Sequence, residues 1–202
     1  MEVVCLDLEG VLVPEIWINI AERTGIHELR ATTRDVADYD ALMVQRLRLL
    51  DQHGLKLADI QEVIEQLGPM DGAGNFVAWL DRHFQLVILS DTFYEFAGPL
   101  MAQLGWPTLF CHRLEVDPDG RVAGYRLRMK DHKKQAVCAF HRLNFKVLAV
   151  GDSYNDTTML AEADHGFLFR APKNVIEEFP QFPHVGEYTE LQSLLMEASG
   201  RF

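Results

Sequence analysis

Basic charge is scarce in this chain. Of its 202 residues, 19 are Lys or Arg and 30 are Asp or Glu, for a net charge of −11 with histidine neutral. A balance that negative argues against a broad nucleic-acid or anionic-membrane surface. It leaves room for a small phosphorylated substrate, because a metal ion and a few aimed cations act locally. Cysteine is scarce too: Cys5, Cys111 and Cys138 are the three present, without metal-ligand spacing. Two fall in expected strands and one in an expected helix, and they read as buried, reduced thiols of a reducing cytosol. The eight histidines (His27, His53, His83, His112, His132, His141, His165 and His184) show no paired metal spacing and read as surface or structural residues. There is no repeat and no low-complexity linker. The chain opens on a strand rather than on a basic region followed by a long apolar stretch. Neither a signal peptide nor a transmembrane segment is expected, and the expected location is cytoplasmic.

Hydrophobic residues at 48% and charged residues at 24% describe an ordinary soluble globular chain, long enough for one domain with or without an insert. The apolar run at 3–8 suits a strand buried on both faces. Pro14 opens a helix over 15–23, and Gly25 stops it. A long helix at 34–52 ends near Gly54. Another covers 58–66, where Ile60, Val63, Ile64 and Leu67 keep helical spacing. A helix at 72–82 leads into a strand at 86–89. A helix at 93–104 follows, closed by Gly105 and threatened with a kink by Pro99. A strand at 108–111 precedes a hairpin of 114–116 and 121–127 about Asp117-Pro118-Asp119-Gly120. Then come a helix at 133–143, a strand at 146–150, a helix at 156–163 and a strand at 167–169. The tail, with Pro172, Pro180 and Pro183, holds one short helix. This strand–helix alternation implies an α/β fold with a doubly wound parallel sheet. The consecutive helices at 14–70 exceed an ordinary crossover. They read as a small helical cap above the strand ends, leaving 1–13 and 71–202 as a Rossmann-like core.

Two acidic turns, each directly after an apolar run, carry the chemistry. One is Leu6-Asp7-Leu8-Glu9-Gly10; the other is Val150-Gly151-Asp152-Ser153-Tyr154-Asn155-Asp156. Strand ends at the carboxyl edge of a parallel sheet share one crevice, so Asp7, Glu9, Asp152 and Asp156 are expected to converge. Carboxylates that close repel and hold protons unless a cation neutralises them. Hard oxygen ligands suit Mg2+, which keeps room for water and phosphate.

The segments Asp7-Leu8-Glu9-Gly10-Val11 and Leu89-Ser90-Asp91-Thr92, a lysine ahead of the next strand, and the Gly151–Asp156 turn stand in a fixed order. That set resembles the motifs of the haloacid dehalogenase-like phosphotransferases, and the resemblance spans essentially the whole chain. A helical cap after the first motif is similar to the phosphoserine phosphatase branch. The longer stretches at 6–17 (LDLEGVLVPEIW) and 89–96 (LSDTFYEF) resemble the bifunctional phosphoserine phosphatase/homoserine phosphotransferase proteins.

The resemblance implies that Asp7 is a nucleophile forming an aspartyl-phosphate. Alone, Asp7 reads equally as a turn aspartate; the matching turn at Asp152 points to chemistry. Glu9, two residues on, lies on the same side of an extended chain and suits a general acid/base. Most of the family resembled has aspartate there; the homoserine phosphotransferase group carries glutamate. Gly10 lets the backbone leave the strand. Ser90 and the Asp91 backbone N–H would bind a phosphoryl oxygen at the N-terminus of a helix beginning near Thr92, where Asp91 or Thr92 also reads as a plain cap. Lys130, Lys133 and Lys134 compete for the lysine role. Lys133 extends the apolar face of Ala136, Val137, Phe140 and Leu143, whereas Lys134 turns about 100° toward solvent. Lys133 would offset charge on the phosphoryl oxygens and on Asp7. Asp152 is the third expected metal ligand, beside Asp7 and either the carboxylate or the backbone of Glu9; the resemblance favours the backbone carbonyl. Asp156 reads as orienting the metal's waters or Lys133, or as a cap. Asn155 reads as a donor to the phosphoryl group or substrate, or as a cap.

Arg46 falls on the inward stripe of its helix with Tyr39, Met43 and Leu50, while Arg48 falls opposite. An inward arginine needs an anionic partner, whether a substrate carboxylate or an internal pair, unless it snorkels to water. Glu15 suits either a substrate ammonium or the first turn of its helix. Phosphoserine phosphatases use a cap arginine and a cap glutamate in this way, and the resemblance places Arg46 and Glu15 at those positions. Trp17, Met43 and Phe93 read as packing. The implied activity is Mg2+-dependent hydrolysis of O-phosphoserine, with transfer to homoserine as the alternative outcome and a homodimer by family analogy. Rival readings are a phosphatase for another small ester and a regulatory phosphate-binding module without turnover. The second should lack a nucleophile or metal carboxylate, and both are present.

Overall fold

The structure, a computed structural model, describes residues 1–32 and 39–200. A seven-stranded sheet runs in the order β4-β3-β2-β1-β5-β6-β7. Its strands are β1 (Glu2–Leu6), β2 (Gln85–Phe93), β3 (Thr108–Val116), β4 (Val122–Arg126), β5 (Lys146–Gly151), β6 (His165–Phe169) and β7 (His184–Val185). All pairings are parallel except β3 with β4. The helices are α1 (Ile16–Thr24), α2 (Tyr39–Gln52), α3 (Leu57–Glu65), α4 (Ala73–His83), α5 (Tyr94–Gln103), α6 (His132–Arg142), α7 (Thr157–Glu162), α8 (Lys173–Glu178) and α9 (Tyr188–Ser199). None of the described helices is long and apolar enough to cross a membrane.

The period of two along β1 sorts the core into two layers. Val4 and Leu6 face a cluster fed by α1, α3, α4, α5 and α9; Val3 and Cys5 face a smaller one fed by α6, α7 and α8. The sheet is therefore doubly wound. Strand order reverses about β1, which lies between β2 and β5, so the crevice opens where Asp7 leaves β1 and Asp152 leaves β5.

Several boundaries differ from the expectation, each for a local reason. The expected strand at 108–111 and the first arm of the hairpin are one strand, because Cys111 to Leu114 stays extended between β2 and β4. The tail carries two helices and β7, where one short helix was expected. Leu191 and Leu195 are fully buried and hold α9 on the core. Residues 34–38 of the expected long helix lie outside the described residues; from Tyr39 it is helical to Gln52. Pro99 sits inside α5 without ending it. The Glu95 carbonyl, deprived of the Pro99 N–H, accepts from Gln61 Nε2 of α3 at 2.8 Å instead. Cys138 is only half-buried, unlike the fully buried Cys5 and Cys111.

The loop after β1 is fixed from outside. Tyr188 Oη of α9 donates to the Val11 carbonyl at 2.6 Å, and the Met70 N–H donates to the Leu12 carbonyl at 2.9 Å. Helices α1 to α3 follow this loop. They are tied to the rest by Gln61, by Tyr39 Oη on the Asp91 carbonyl at 3.3 Å, and by Asp51 on Arg121 at 2.6 Å.

Candidate active site

Asp7 sits one residue past β1, 5% exposed, with its N–H on the Val150 carbonyl of β5 at 2.9 Å. Its Oδ1 accepts from the Leu8 N–H at 2.7 Å and lies 3.0 Å from Lys133 Nζ. Burial, then the charges of Asp156, Asp152 and Asp91, push its carboxyl well above the usual range, and Lys133 pulls the other way. Carboxylate oxygens of Asp7, Asp152 and Asp156 lie within 4.8 Å of one another, all three residues buried. Hard, mutually repelling oxygens at this spacing are a donor set that fits a small divalent cation. Gly10 closes the approach: its φ is +76°, and an added Cβ would lie 2.5 Å from Asp152 Oδ2.

Lys133 is 2% exposed. Besides Asp7, its Nζ meets Asp156 Oδ1 at 2.8 Å and Asp91 Oδ2 at 3.2 Å. Burial alone would depress its pKa, but Asp156, Asp7 and Asp91 together hold it well above the usual value. Lys134 turns away to Glu162 at 3.5 Å, and Lys130 is exposed at the pocket mouth.

Asp156 is wholly buried, and its Oδ2 accepts from the N–H groups of Asp152 at 3.0 Å and Ser153 at 3.2 Å. It thus orients Lys133 with one oxygen and shapes the Asp152 turn with the other. Gly151 makes room for it. A Cβ there would lie 2.4 Å from Asp156 Cβ and Cγ. Gly151→Ala should cost about 3 kcal/mol through overpacking and displace the Lys133 anchor. An unchanged melting temperature in that variant would contradict this packing account.

Glu9 is placed differently from Asp152. Its Oε2 accepts the Ile16 N–H at 2.8 Å, so it, not Glu15, caps α1. The side chain is thus engaged on α1 and is not among the Asp7–Asp152–Asp156 oxygens that lie within 4.8 Å of one another. The backbone carbonyl option for metal ligation at position 9 is not affected. Burial and then repulsion from Glu15 raise the Glu9 pKa to about 8, against the pull of the Ile16 N–H, Arg46 and Lys133.

The segment at Ser90 also departs from expectation. The expected helix is there, as α5 from Tyr94, but the turn ahead of it is not: β2 continues to Phe93, and Phe93 is the cap of α5. β-Branched Thr92 and aromatic Phe93 favour the strand. A register irregularity between Leu89 and Phe93 turns the segment toward the pocket. The reading of Asp91 or Thr92 as the cap is therefore withdrawn: Phe93 holds that position, and no side chain caps α5. Ser90, 1% exposed, accepts the Thr92 N–H at 3.2 Å. The Asp91 carboxylate meets His132 Nε2 at 3.0 Å, His112 Nε2 at 3.4 Å and Asn155 Nδ2 at 2.6 Å. Burial would raise its pKa, but Lys133, His112 and His132 hold it well below the usual range. Those two buried histidines are the part of the site that sequence reasoning missed.

These side chains line a cavity of about 1040 Å³ whose other wall comes from α1 and α2. Arg46 is 7% exposed there, with its guanidinium 4.5 Å from the Trp17 ring centroid. Nη2 donates to the Ala31 carbonyl at 3.0 Å, while Nε is buried without a partner among the described residues. Burial lowers the Arg46 pKa to about 10, against the pull of Glu9, Tyr39 and Glu15. Glu15 lines the same cavity and makes no cap hydrogen bond.

A doubly wound α/β sheet with an acid-lined crevice at its switch point has known counterparts. The family model of haloacid dehalogenase-like hydrolases matches residues 1–164, and the chain belongs to that family. Among its relatives is the phosphoserine phosphatase ThrH of Pseudomonas aeruginosa, 65% identical over 201 residues, covering 100% of this chain and 98% of that protein. The phosphoserine phosphatase of Pseudomonas syringae pv. tomato is also 65% identical over 201 residues, covering 100% of this chain and 85% of that protein. A solved phospho-aspartyl intermediate analogue of phosphoserine phosphatase superimposes with a TM-score of 0.76 at 18% identity, over 96% of this chain and 98% of that one. At that identity the likeness speaks for the fold.

Proposed function

We propose that this hydrolase cleaves O-phospho-L-serine through a phosphorylated Asp7, and that homoserine can replace water as the acceptor. One observation carries the reading: a single cavity has Asp7 paired with Lys133 at 3.0 Å on its floor and a half-satisfied buried Arg46 in its wall. The floor suits a phosphoryl group and the wall a carboxylate, the two anionic ends of one phosphorylated amino acid. The two Pseudomonas relatives, each a phosphoserine phosphatase by name and each matching the whole chain, support the same substrate.

With Oδ1 held by the Leu8 N–H and Lys133, Oδ2 of Asp7 is the oxygen left to attack phosphorus. The P–O bond to serine breaks, and the departing alkoxide takes a proton from Glu9, which its raised pKa keeps protonated at neutral pH. The Glu9 carboxylate then accepts the proton of water, or of the homoserine hydroxyl, as that oxygen attacks phosphorus and releases Asp7. Lys133 offsets charge on Asp7 and the phosphoryl oxygens throughout. Ser90 and the Asp91 N–H receive a phosphoryl oxygen, Asn155 contacts the same group, and Glu15 takes the serine ammonium. Mg2+ would be held by Asp7, Asp152 and the Glu9 carbonyl, with Asp156 behind them, and would neutralise charge on Asp7 and the transferred group. In this reading α1 to α3 form a cap, residues 14–70, over a core of 1–13 and 71–202.

Phosphorus NMR of the purified protein with O-phospho-L-serine tests the proposal, run with Mg2+ or EDTA and with or without L-homoserine. Phosphate should appear only with Mg2+, and phosphohomoserine only when homoserine is added. Phosphate alone would remove the transfer branch; an inert phosphoserine signal would remove the substrate. Arg46→Ala should lower kcat/KM for phosphoserine about 10- to 100-fold, as befits a charge-assisted contact, and leave phosphoethanolamine, which lacks the carboxylate, nearly unaffected. Equal losses on both esters would take Arg46 out of substrate recognition.

A further inference from the structure

Asp91 is engaged on both oxygens. Oδ1 faces His132 Nε2 at 3.0 Å and His112 Nε2 at 3.4 Å; Oδ2 faces Asn155 Nδ2 at 2.6 Å and Lys133 Nζ at 3.2 Å. A carboxylate has about four acceptor sites, so these partners leave none for a substrate group. The cluster also does not suit a metal ion. His112 Nδ1 accepts the Arg128 N–H at 3.1 Å, which puts the ring proton on Nε2, where it points to Asp91. A nitrogen carrying that proton has no lone pair for a cation.

We propose that the Asp91 carboxylate, braced by His112 and His132, is a positioning residue that holds Lys133 and Asn155 at the phosphoryl-transfer centre. The inference rests on the phosphotransfer reading above. The contacts come from four parts of the chain: β2 gives Asp91, β3 gives His112, the first turn of α6 gives His132 and Lys133, and the turn after β5 gives Asn155. Two consecutive residues of α6 grip one carboxylate, which fixes the start of that helix as well as the lysine. His132 has no other evident task. It is 5% exposed, its Nε2 meets Asp91, and its Nδ1 is buried without a partner among the described residues. Lys133 also leans on Asp7, but Asp7 is the group that becomes esterified. Asp91 and Asp156 are the anchors that take no part in the bond changes, so Lys133 keeps its place when the Asp7 charge changes. Small displacements of such a group are costly to rate even where binding survives.

The test compares Asp91→Asn, His132→Leu and His132→Gln on O-phospho-L-serine and on para-nitrophenyl phosphate, with Mg2+. Asp91→Asn should lower kcat about 100-fold with KM changed about twofold or less. His132→Leu should lower kcat about tenfold. His132→Gln, which returns an N–H near the Nε2 position, should recover most of that loss. A merely structural role would lower the melting temperature, move kcat and KM together, and treat Leu and Gln alike. Wild-type kcat in Asp91→Asn, or equal losses in the two His132 variants, overturns the proposal. The aryl ester needs no amino-acid subsite. If only phosphoserine is inert, the substrate reading fails, and kcat on the aryl ester still decides the role of Asp91.

Discussion

Asp7→Asn should abolish phosphate release, a loss on the order of 10⁴-fold or more, in a protein that stays folded and melts higher than wild type when Mg2+ is absent. An amide cannot attack phosphorus, so the chemical step has no substitute. The fold has no reason to fail. Asparagine matches aspartate in size and keeps an oxygen for the Leu8 N–H, now 2.7 Å from Asp7 Oδ1. The stability effect follows from charge. Burial and the neighbouring Asp156, Asp152 and Asp91 raise the Asp7 pKa well above its ordinary value. A carboxyl raised in the folded state contributes stability that is present below its unfolded pKa and lost as pH rises through its folded pKa. At neutral pH without a cation the ionised form is therefore a liability, and asparagine lacks it. A cation reverses this, so Mg2+ should raise the melting temperature of wild type more than that of the variant. Thermal melts in EDTA and in Mg2+, beside a phosphate assay, read both effects. Retained turnover would discard the nucleophile, and an identical Mg2+ shift in the two proteins would take Asp7 out of the metal site.

The parts of this picture that were legible in the sequence are those set by local period and strand ends. Apolar runs followed by acidic turns located both edges of the crevice, because buried parallel strands leave a plain signature. Helical period turned Arg46 and Lys133 inward and Arg48 and Lys134 outward, and the side-chain burial agrees. What sequence did not carry is long-range. Ser90-Asp91-Thr92 has turn and cap chemistry, so it reads as the turn that caps the next helix; it is instead the last stretch of β2, which pairs with β3 again at Phe93, and α5 begins at Tyr94. His112 and His132 lie 20 positions apart with no motif between them, and only the meeting of β2, β3 and α6 brings both to Asp91. Glu9 looked like one more carboxylate of the cluster. Its extra methylene lets it reach the Ile16 N–H, a destination the spacing of the motif does not disclose.

Lys133→Met is expected to combine a large stability loss with loss of turnover on the order of 10³-fold, and the pH dependence of the stability loss should identify its cause. Methionine fills the space of the lysine stem without its charge. The variant leaves Asp7, Asp91 and Asp156, which lie 3.0, 3.2 and 2.8 Å from Nζ, without their shared cation. Removing one partner of a buried ion cluster costs roughly 3–5 kcal/mol, about 10 °C in melting temperature for a chain this size. In wild type the folded Lys133 pKa is raised, so its contribution is present in full below the unfolded lysine pKa and is undiminished at neutral pH. Asp91, whose pKa is lowered, contributes stability that fades as pH falls through its folded value. In the variant, Asp7 loses its counter-charge and takes up a proton more readily, and that uptake stabilises the folded form as pH falls. The Asp7 uptake narrows the gap between the proteins from about pH 8 to about pH 5, whereas the Asp91 loss belongs below about pH 4. A gap independent of pH would point to lost packing instead of unpaired charge. Mg2+ should recover part of the melting temperature by neutralising Asp7 and Asp152. It should not recover turnover, because Asp156 Oδ1 and Asp91 Oδ2 would still face an apolar side chain where the reaction needs a cation.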